Sequence, residues 1–256
     1  MPKWIGNRFG SIVPIAPGTD APSAIYNLFD QYYSKQDSGW ASPTGLTATG
    51  GAISEYIDGS DIYRAHVFTS SGSFVVTALG TEPAALEYLV VAGGGGGGSR
   101  QGGGGGAGGL RSNFPGVPAP LRTPTSITAT AGPTTYPIVI GAGAAGGSGD
   151  AQKGEDGTDS VLTYPGPNTI TAHGGGGGGS GGGSPPFPAQ NGRTGGSGGG
   201  ASAWGTEAGS GGSGNTPPFN PAQGTAGGAS GSTETGGSKR IAGGGGGFTA
   251  AGTGGV

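Results

Sequence analysis

Between residues 93 and 98 every position is glycine, and similar runs recur at 102–109, 141–149, 174–183, 195–200, 209–214, 224–231 and 243–247. A stretch without side chains has only its backbone to fold with. Glycine also loses the most conformational freedom on ordering, about 1 kcal/mol more than alanine per residue. The 67 glycines and 20 prolines make up about a third of the 256 residues, a share that by itself reads as low-complexity chain. Few ordered forms accept such runs. The collagen helix needs glycine at every third position, a period that contiguous glycines break. Cross-β stacking needs interdigitating side chains. What remains is an array of extended helices of the polyglycine-II type, with about three residues per turn and N–H and C=O groups pointing sideways toward neighbours. Each bond contributes about 1 kcal/mol net, so only a dense lattice offsets the entropy. The sequence therefore predicts a glycine-rich domain over 92–256, built as a bundle of polyglycine-II helices that displays variable loops.

The rest of the chain reads as mainly β and irregular. Residues 1–20 scatter Trp4, Ile5, Phe9, Ile12, Val13 and Ile15 among Gly and Pro, a segment that orders best against a partner. Asp20 has the character of an N-cap, with Pro22 in the first turn. Ile25, Leu28, Phe29, Tyr32 and Tyr33 then form one stripe of an amphipathic helix over 21–35. That stripe either packs within its own domain or docks into another protein or a sister chain. Residues 36–50 read as a Gly/Ser/Thr linker. Residues 51–91 read as a small β unit, with strands at 62–68 and 73–79 joined by a hairpin turn at 69–72, and a third strand over 86–91. Two strand pairs are expected inside the glycine domain, 126–131 with 135–140 and 160–164 with 168–172. Pro- and aromatic-rich excursions fall at 111–122, 184–192, 201–205 and 215–224. Two of them share Pro-Pro-Phe followed by Pro-Ala-Gln, an internal similarity that suggests repeated architecture. Stiff loops of this kind are expected to gather at a common end.

Little chemistry is legible. The net charge is −3 with 10% charged residues, which gives no basic patch for nucleic acid. With no cysteine there is no disulfide and no thiol nucleophile. No apolar run approaches the roughly 20 residues that span a bilayer. Gly-x-Gly-x-x-Gly matches arise by chance in such a chain, and none sits in a βαβ setting. His66 and His173 are read as packing or surface residues, and no Gly-x-Ser-x-Gly elbow opens a helix. No enzymatic activity and no cofactor are expected. Asp150, Glu155, Asp156 and Asp159 lie close enough together to be a weak Ca²⁺ candidate, although their spacing fits no EF-hand and a solvated turn is the plainer reading. Phe114, Phe187, Trp204 and Phe219 stand in the excursions, where aromatics either mark a recognition surface or fold back over the ends of the glycine helices.

The string Glu87-Tyr88-Leu89-Val90-Val91-Ala92 running into the glycines at 93–98, with further islands such as 102–109, resembles the glycine-rich domain of bacteriophage tail-fibre and marine virion proteins. Glycine helices alternating with aromatic loops are similar to the receptor-binding adhesins at the tips of T-even-like long tail fibres. Residues 1–40 resemble the N-termini of cyanophage structural proteins. The resemblance implies a virion fibre or tail adhesin that is made in the host cytoplasm and acts extracellularly. Residues 1–45 would attach it to other virion proteins, with Trp4, Phe9, Ile25, Leu28, Phe29 and Tyr32 as docking candidates. The absence of an apolar secretion segment at Met1-Pro2-Lys3-Trp4 suits release by lysis. Loops 111–122, 184–193, 201–207 and 215–223, with Phe114, Phe187, Arg193, Trp204 and Phe219, would meet a host receptor, an outer-membrane protein or a glycan. Fibres of this kind are commonly trimeric, so a homo-oligomer is expected. Two other classes share the fold: a structural decoration or appendage protein without a receptor, and, more remotely, an ice-binding protein.

Overall fold

The computed structural model describes residues 45–58, 61–81, 83–118, 121–123, 126–130, 132–166, 168–182, 191–203, 208–231 and 241–255. Thr47–Leu79 and Ala84–Val256 form one compact body. A second unit, Met1–Leu46 with Gly80–Pro83, falls almost wholly outside the described residues, and so does the expected helix over 21–35. The described residues are mainly β and irregular, with no helix among them.

The strands are β1 (Thr47–Thr49), β2 (Ala52–Asp58), β3 (Asp61–Val67), β4 (Gly72–Ala78), β5 (Ala85–Leu86), β6 (Leu89–Val91), β7 (Leu110–Ser112), β8 (Ile127–Thr128), β9 (Thr134–Val139), β10 (Ser160–Tyr164) and β11 (Asn168–Ala172). A five-stranded sheet runs β1-β4-β9-β10-β11, and the pairs β2-β3, β5-β8 and β6-β7 stand apart from it. Its core holds Val76, Tyr136, Ile170 and Ala172, with the Phe74 ring tilted against Tyr136 at 5.7 Å. The β10–β11 hairpin pairs Ser160 through Tyr164 with Ala172 through Asn168, in the expected register.

Three expectations are corrected. First, β3 pairs with β2 and not with β4: Ile57 meets Ile62 and Tyr56 meets Tyr63 across a ladder that closes at Asp58–Asp61. Only Gly59-Ser60 separates these strands in sequence, a two-residue Gly-Ser signal that outranks Thr69-Ser70-Ser71-Gly72. From 68 to 71 the chain instead crosses to the main sheet, where Ser71 Oγ accepts from the Ile140 N–H at 3.0 Å and β4 slots between β1 and β9. Second, the expected partner of 135–140 is replaced. β8 pairs with β5, while β9 takes the centre of the sheet between β4 and β10, where Tyr136 is fully buried and Ile138 half-buried. Third, the strand over 86–91 is two pieces, β5 and β6. They are interrupted where Asn113 bridges the backbone, accepting from the Tyr88 N–H (2.8 Å) and donating to the Leu86 carbonyl (3.0 Å). The stretch read as linker also contributes β1, which the glycines at 50 and 51, both at positive φ, turn into β2.

β6, β9 and β11 each continue into a glycine run, at 92, 141 and 173; β7 emerges from one, and β10 from the segment 152–159, which has glycine at 154 and 157. The runs bond sideways with a repeat of three residues. The N–H groups of Ala92, Gly95 and Gly98 donate to Gly109, Gly106 and Gly103. Those of Gly93, Gly96 and Ser99 donate to Thr158, Glu155 and Gln152. Gly175, Gly178 and Gly181 donate in turn to Gly93, Gly96 and Ser99, and Ala144 and Gly147 to Gly94 and Gly97. One run thus reaches four others, antiparallel to two and parallel to two. The same stepping continues through 191–203, 209–213, 224–231, 241–247 and 250–255. The runs 174–182 and 196–203 are buried at every position and form the middle of the bundle. Methyl-bearing residues occur where this geometry leaves room, as at Ala142, Ala144 and Ala145 on the outer run 141–148.

Candidate functional site

The register of these bonds sorts every connection to one of two ends. At the sheet end lie the 112–123 segment, the β10–β11 turn, the bend at 195–197, the loop 214–223 and the turn at 248–250. At the far end lie the turns at 99–101 and 149–151. The connections that leave after Gly182, Ala203 and Gly231 and return at Asn191, Ala208 and Ile241 also start and finish there. The excursions therefore do not share one end. The Pro-Pro-Phe of 217–219 lies at the sheet end, and that of 185–187 lies outside the described residues.

At the far end, Arg100 and Ala151 adopt positive φ (55° and 58°), so both turns are tight, and the Arg100 guanidinium pairs with Asp150 at 2.6 Å. Ser202 Oγ donates to the Gln101 carbonyl, which ties this turn to the central run.

At the sheet end, the loop 214–223 is built around Asn215, itself at positive φ (50°). Its side chain accepts from the N–H groups of Phe219 (3.1 Å) and Gln223 (3.2 Å) and donates to the Phe219 carbonyl (3.1 Å). Gln223 is fully buried. Its Oε1 accepts from the His173 N–H (2.8 Å), its Nε2 donates to the Pro217 carbonyl (3.1 Å), and its own carbonyl accepts from Leu110 (2.8 Å). The loop therefore presents the Phe219 ring to two partners, the stacked imidazole of His173 at 5.5 Å and the Arg111 guanidinium at 4.3 Å. His173 Nδ1 lies 2.9 Å from Asp159, whose other carboxylate oxygen accepts from the Gly174 N–H at 2.9 Å.

Arg111 is the unusual member. Its Nε and Nη1 are buried without a hydrogen-bond partner, as are the hydroxyls of Tyr88 and Thr123. Burial pushes the Arg111 guanidinium below its usual range, opposed by the neighbouring Tyr88. Burial likewise pushes the Tyr88 phenol up, with Thr123 and Arg111 acting against that shift and Tyr164 adding to it. An enclosed donor left unanswered costs about 1–3 kcal/mol, more when it is charged.

Phe114 stands at the sheet end, 41% exposed. Phe219 is half-buried between its partners. Arg193 lies on the side of the bundle, 3.3 Å from Asp156. Phe187, Trp204, Trp4, Phe9, Ile25, Leu28, Phe29 and Tyr32 lie outside the described residues. The acidic residues at 150–159 spread rather than converge. Asp150 turns to Arg100, Asp156 to Arg193 and the Gly177 N–H, and Asp159 to His173. Among the described residues no three His, Asp or Glu side chains gather as a metal site. Nearby Lys153 has its ammonium pushed below the usual range, first by burial and then by Arg193, with Asp156 opposing. Sequence reasoning passed over Arg111, Tyr88, Thr123, Asn215 and Gln223. The available signal was a polar residue closing each Pro-Ala-Gln repeat beside a glycine run.

No helix among the described residues is long and apolar enough to cross a membrane. Neither a curated protein nor a solved structure matches the chain. Residues 69–256 match the family described as a glycine-rich domain, and with most of its length covered the chain belongs to that family.

Proposed function

We propose that the glycine runs are helices of the polyglycine-II type, and that they form a rigid body carrying a virion fibre or tail adhesin. The observation that carries this reading is the three-residue repeat of the lateral backbone bonds, the period of a three-residue-per-turn helix. A body held this way on all sides is stiff, and it offers loops at fixed positions. The N-terminal 45 residues attach the protein to a neighbouring virion protein, and the chain enters the body through β1, at the sheet end. Recognition of a host receptor, an outer-membrane protein or a glycan, then falls to the connections of the far end, including the one that holds Phe187 and the one that holds Trp204. The protein performs no catalysis in this reading.

The test is adsorption of labelled protein to host cells after exchanging residues 184–190, 204–207 or 215–223 for unrelated sequence. Loss or change of binding with the first two exchanges, and retention with the third, is expected. Unchanged binding in all three would remove the adhesin role.

A second reading, a structural appendage without a receptor, draws on the β2–β3 hairpin. Ile57 and Ile62 are 73% and 71% exposed there, beside the stacked pair Tyr56 and Tyr63. Apolar side chains left open on a two-stranded ladder suit burial against a neighbouring subunit. Imaging of virions separates the two readings, because only the adhesin leaves the far end pointing outward.

A further inference from the structure

Among the described residues, buried donors of a charged side chain without a partner occur at Arg111 alone. The carboxylates within reach of other cations are committed: Glu55 to Arg64, Asp150 to Arg100, Asp156 to Arg193 and Asp159 to His173. The enclosed hydroxyls of Tyr88 and Thr123 belong to the same neighbourhood. Arg111 stands opposite Val90 in the β6–β7 ladder, and Tyr88, two residues before Val90, shares that face. Thr123 is held there by its N–H, which donates to the Ser112 carbonyl at 2.7 Å. Ser112 Oγ in turn donates to the Tyr88 carbonyl at 2.8 Å. The Phe219 ring, fixed by the Asn215 and Gln223 bonds, holds the guanidinium in place.

The geometry points to a binding site for a small oxyanion at Arg111, in which a carboxylate or phosphate group accepts from the enclosed guanidinium N–H groups and from the Tyr88 and Thr123 hydroxyls. Arg111 and Thr123 both act on the Tyr88 phenol, so the guanidinium adjoins the two hydroxyls and brings the one positive charge. A neutral guest would answer the hydrogen bonds but leave the charge, whereas an oxyanion answers both. The site lies at the sheet end, so it is separate from whatever the far-end connections recognise, and it does not depend on the adhesin reading.

The test is equilibrium dialysis of the full chain against radiolabelled acetate and, in a second arm, inorganic phosphate, with ionic strength held constant by chloride. Saturable binding of about one anion per chain is expected in at least one arm. Arg111→Met should abolish it, and Thr123→Val should weaken it about tenfold or more. Binding of acetate alone assigns a carboxylate ligand, and binding of phosphate alone a phosphate; either supports the site. In chloride, Arg111→Met should melt no lower than the parent, because an unanswered buried charge has been removed. Should that variant fail to fold, Thr123→Val carries the comparison. No saturable binding in either arm, or binding unchanged by these substitutions, overturns the proposal.

Discussion

A methyl group is the finest probe of this fold, because the bundle does not treat all its glycines alike. A Cβ on Gly177, in the central run, would overlap the Gly154 carbonyl, whereas one on Gly97 meets its nearest atom, the Gly103 carbonyl oxygen, at 3.7 Å. Gly177→Ala is expected to destabilise by about 1–3 kcal/mol or more through overpacking. Gly97→Ala should stabilise by about 0.4–1 kcal/mol, by restricting the unfolded chain. Thermal unfolding of the two variants checks the contrast, and equal effects would contradict the close approach of the runs. Tyr88 supplies a second residue-scale test. Its phenol titrates above the ordinary value in the fold, so the unfolded chain loses that proton first as pH rises. Stability is therefore full below the unfolded value of about 10 and falls as pH climbs toward the folded one. Tyr88→Phe should lose less stability between about pH 9 and pH 11 than the parent. An identical loss would mean that the phenol is not shielded from water.

At the scale of elements, the sequence was most legible where local pattern and local pairing coincide. The β10–β11 hairpin has two β-branched stretches around a Pro-Gly-Pro turn, and its register is as expected. β3 and β4 were legible as strands but not as partners, because their pairing is decided by β2 and β9, at a distance no turn signal reports. β2 was missed because Ile53, Glu55 and Ile57 share one face, which mixes apolar and charged residues, and lie next to apparent linker. The loop 214–223 was visible as Pro- and Phe-rich, but its anchor was not, since Asn215 and Gln223 gain meaning only against His173 and Leu110 from other runs. That anchor is testable. Gln223→Leu leaves the His173 N–H and the Pro217 carbonyl without partners and should cost about 2–4 kcal/mol in thermal or urea unfolding. A cost near zero would mean that the loop is held by other contacts.

For the molecule as a whole, the sequence disclosed the material of the scaffold and concealed its layout. Contiguous glycine excludes collagen and cross-β packing, which leaves lateral backbone pairing as the way to order it. Which run neighbours which, and which connections share an end, depends on registers that side-chain-free segments do not encode in pattern. The central claim is that the runs are held by lateral bonds stepping in threes, and amide hydrogen exchange measured residue by residue tests it directly. In the run 92–99, the N–H groups of 92, 93, 95, 96, 98 and 99 donate to neighbouring runs while those of 94 and 97 do not. The account predicts slow exchange at the first set and fast exchange at Gly94 and Gly97, a two-in-three rhythm that neither a strand nor an α-helix produces. Uniformly fast exchange along 92–99, or an alternation of period two, would contradict it.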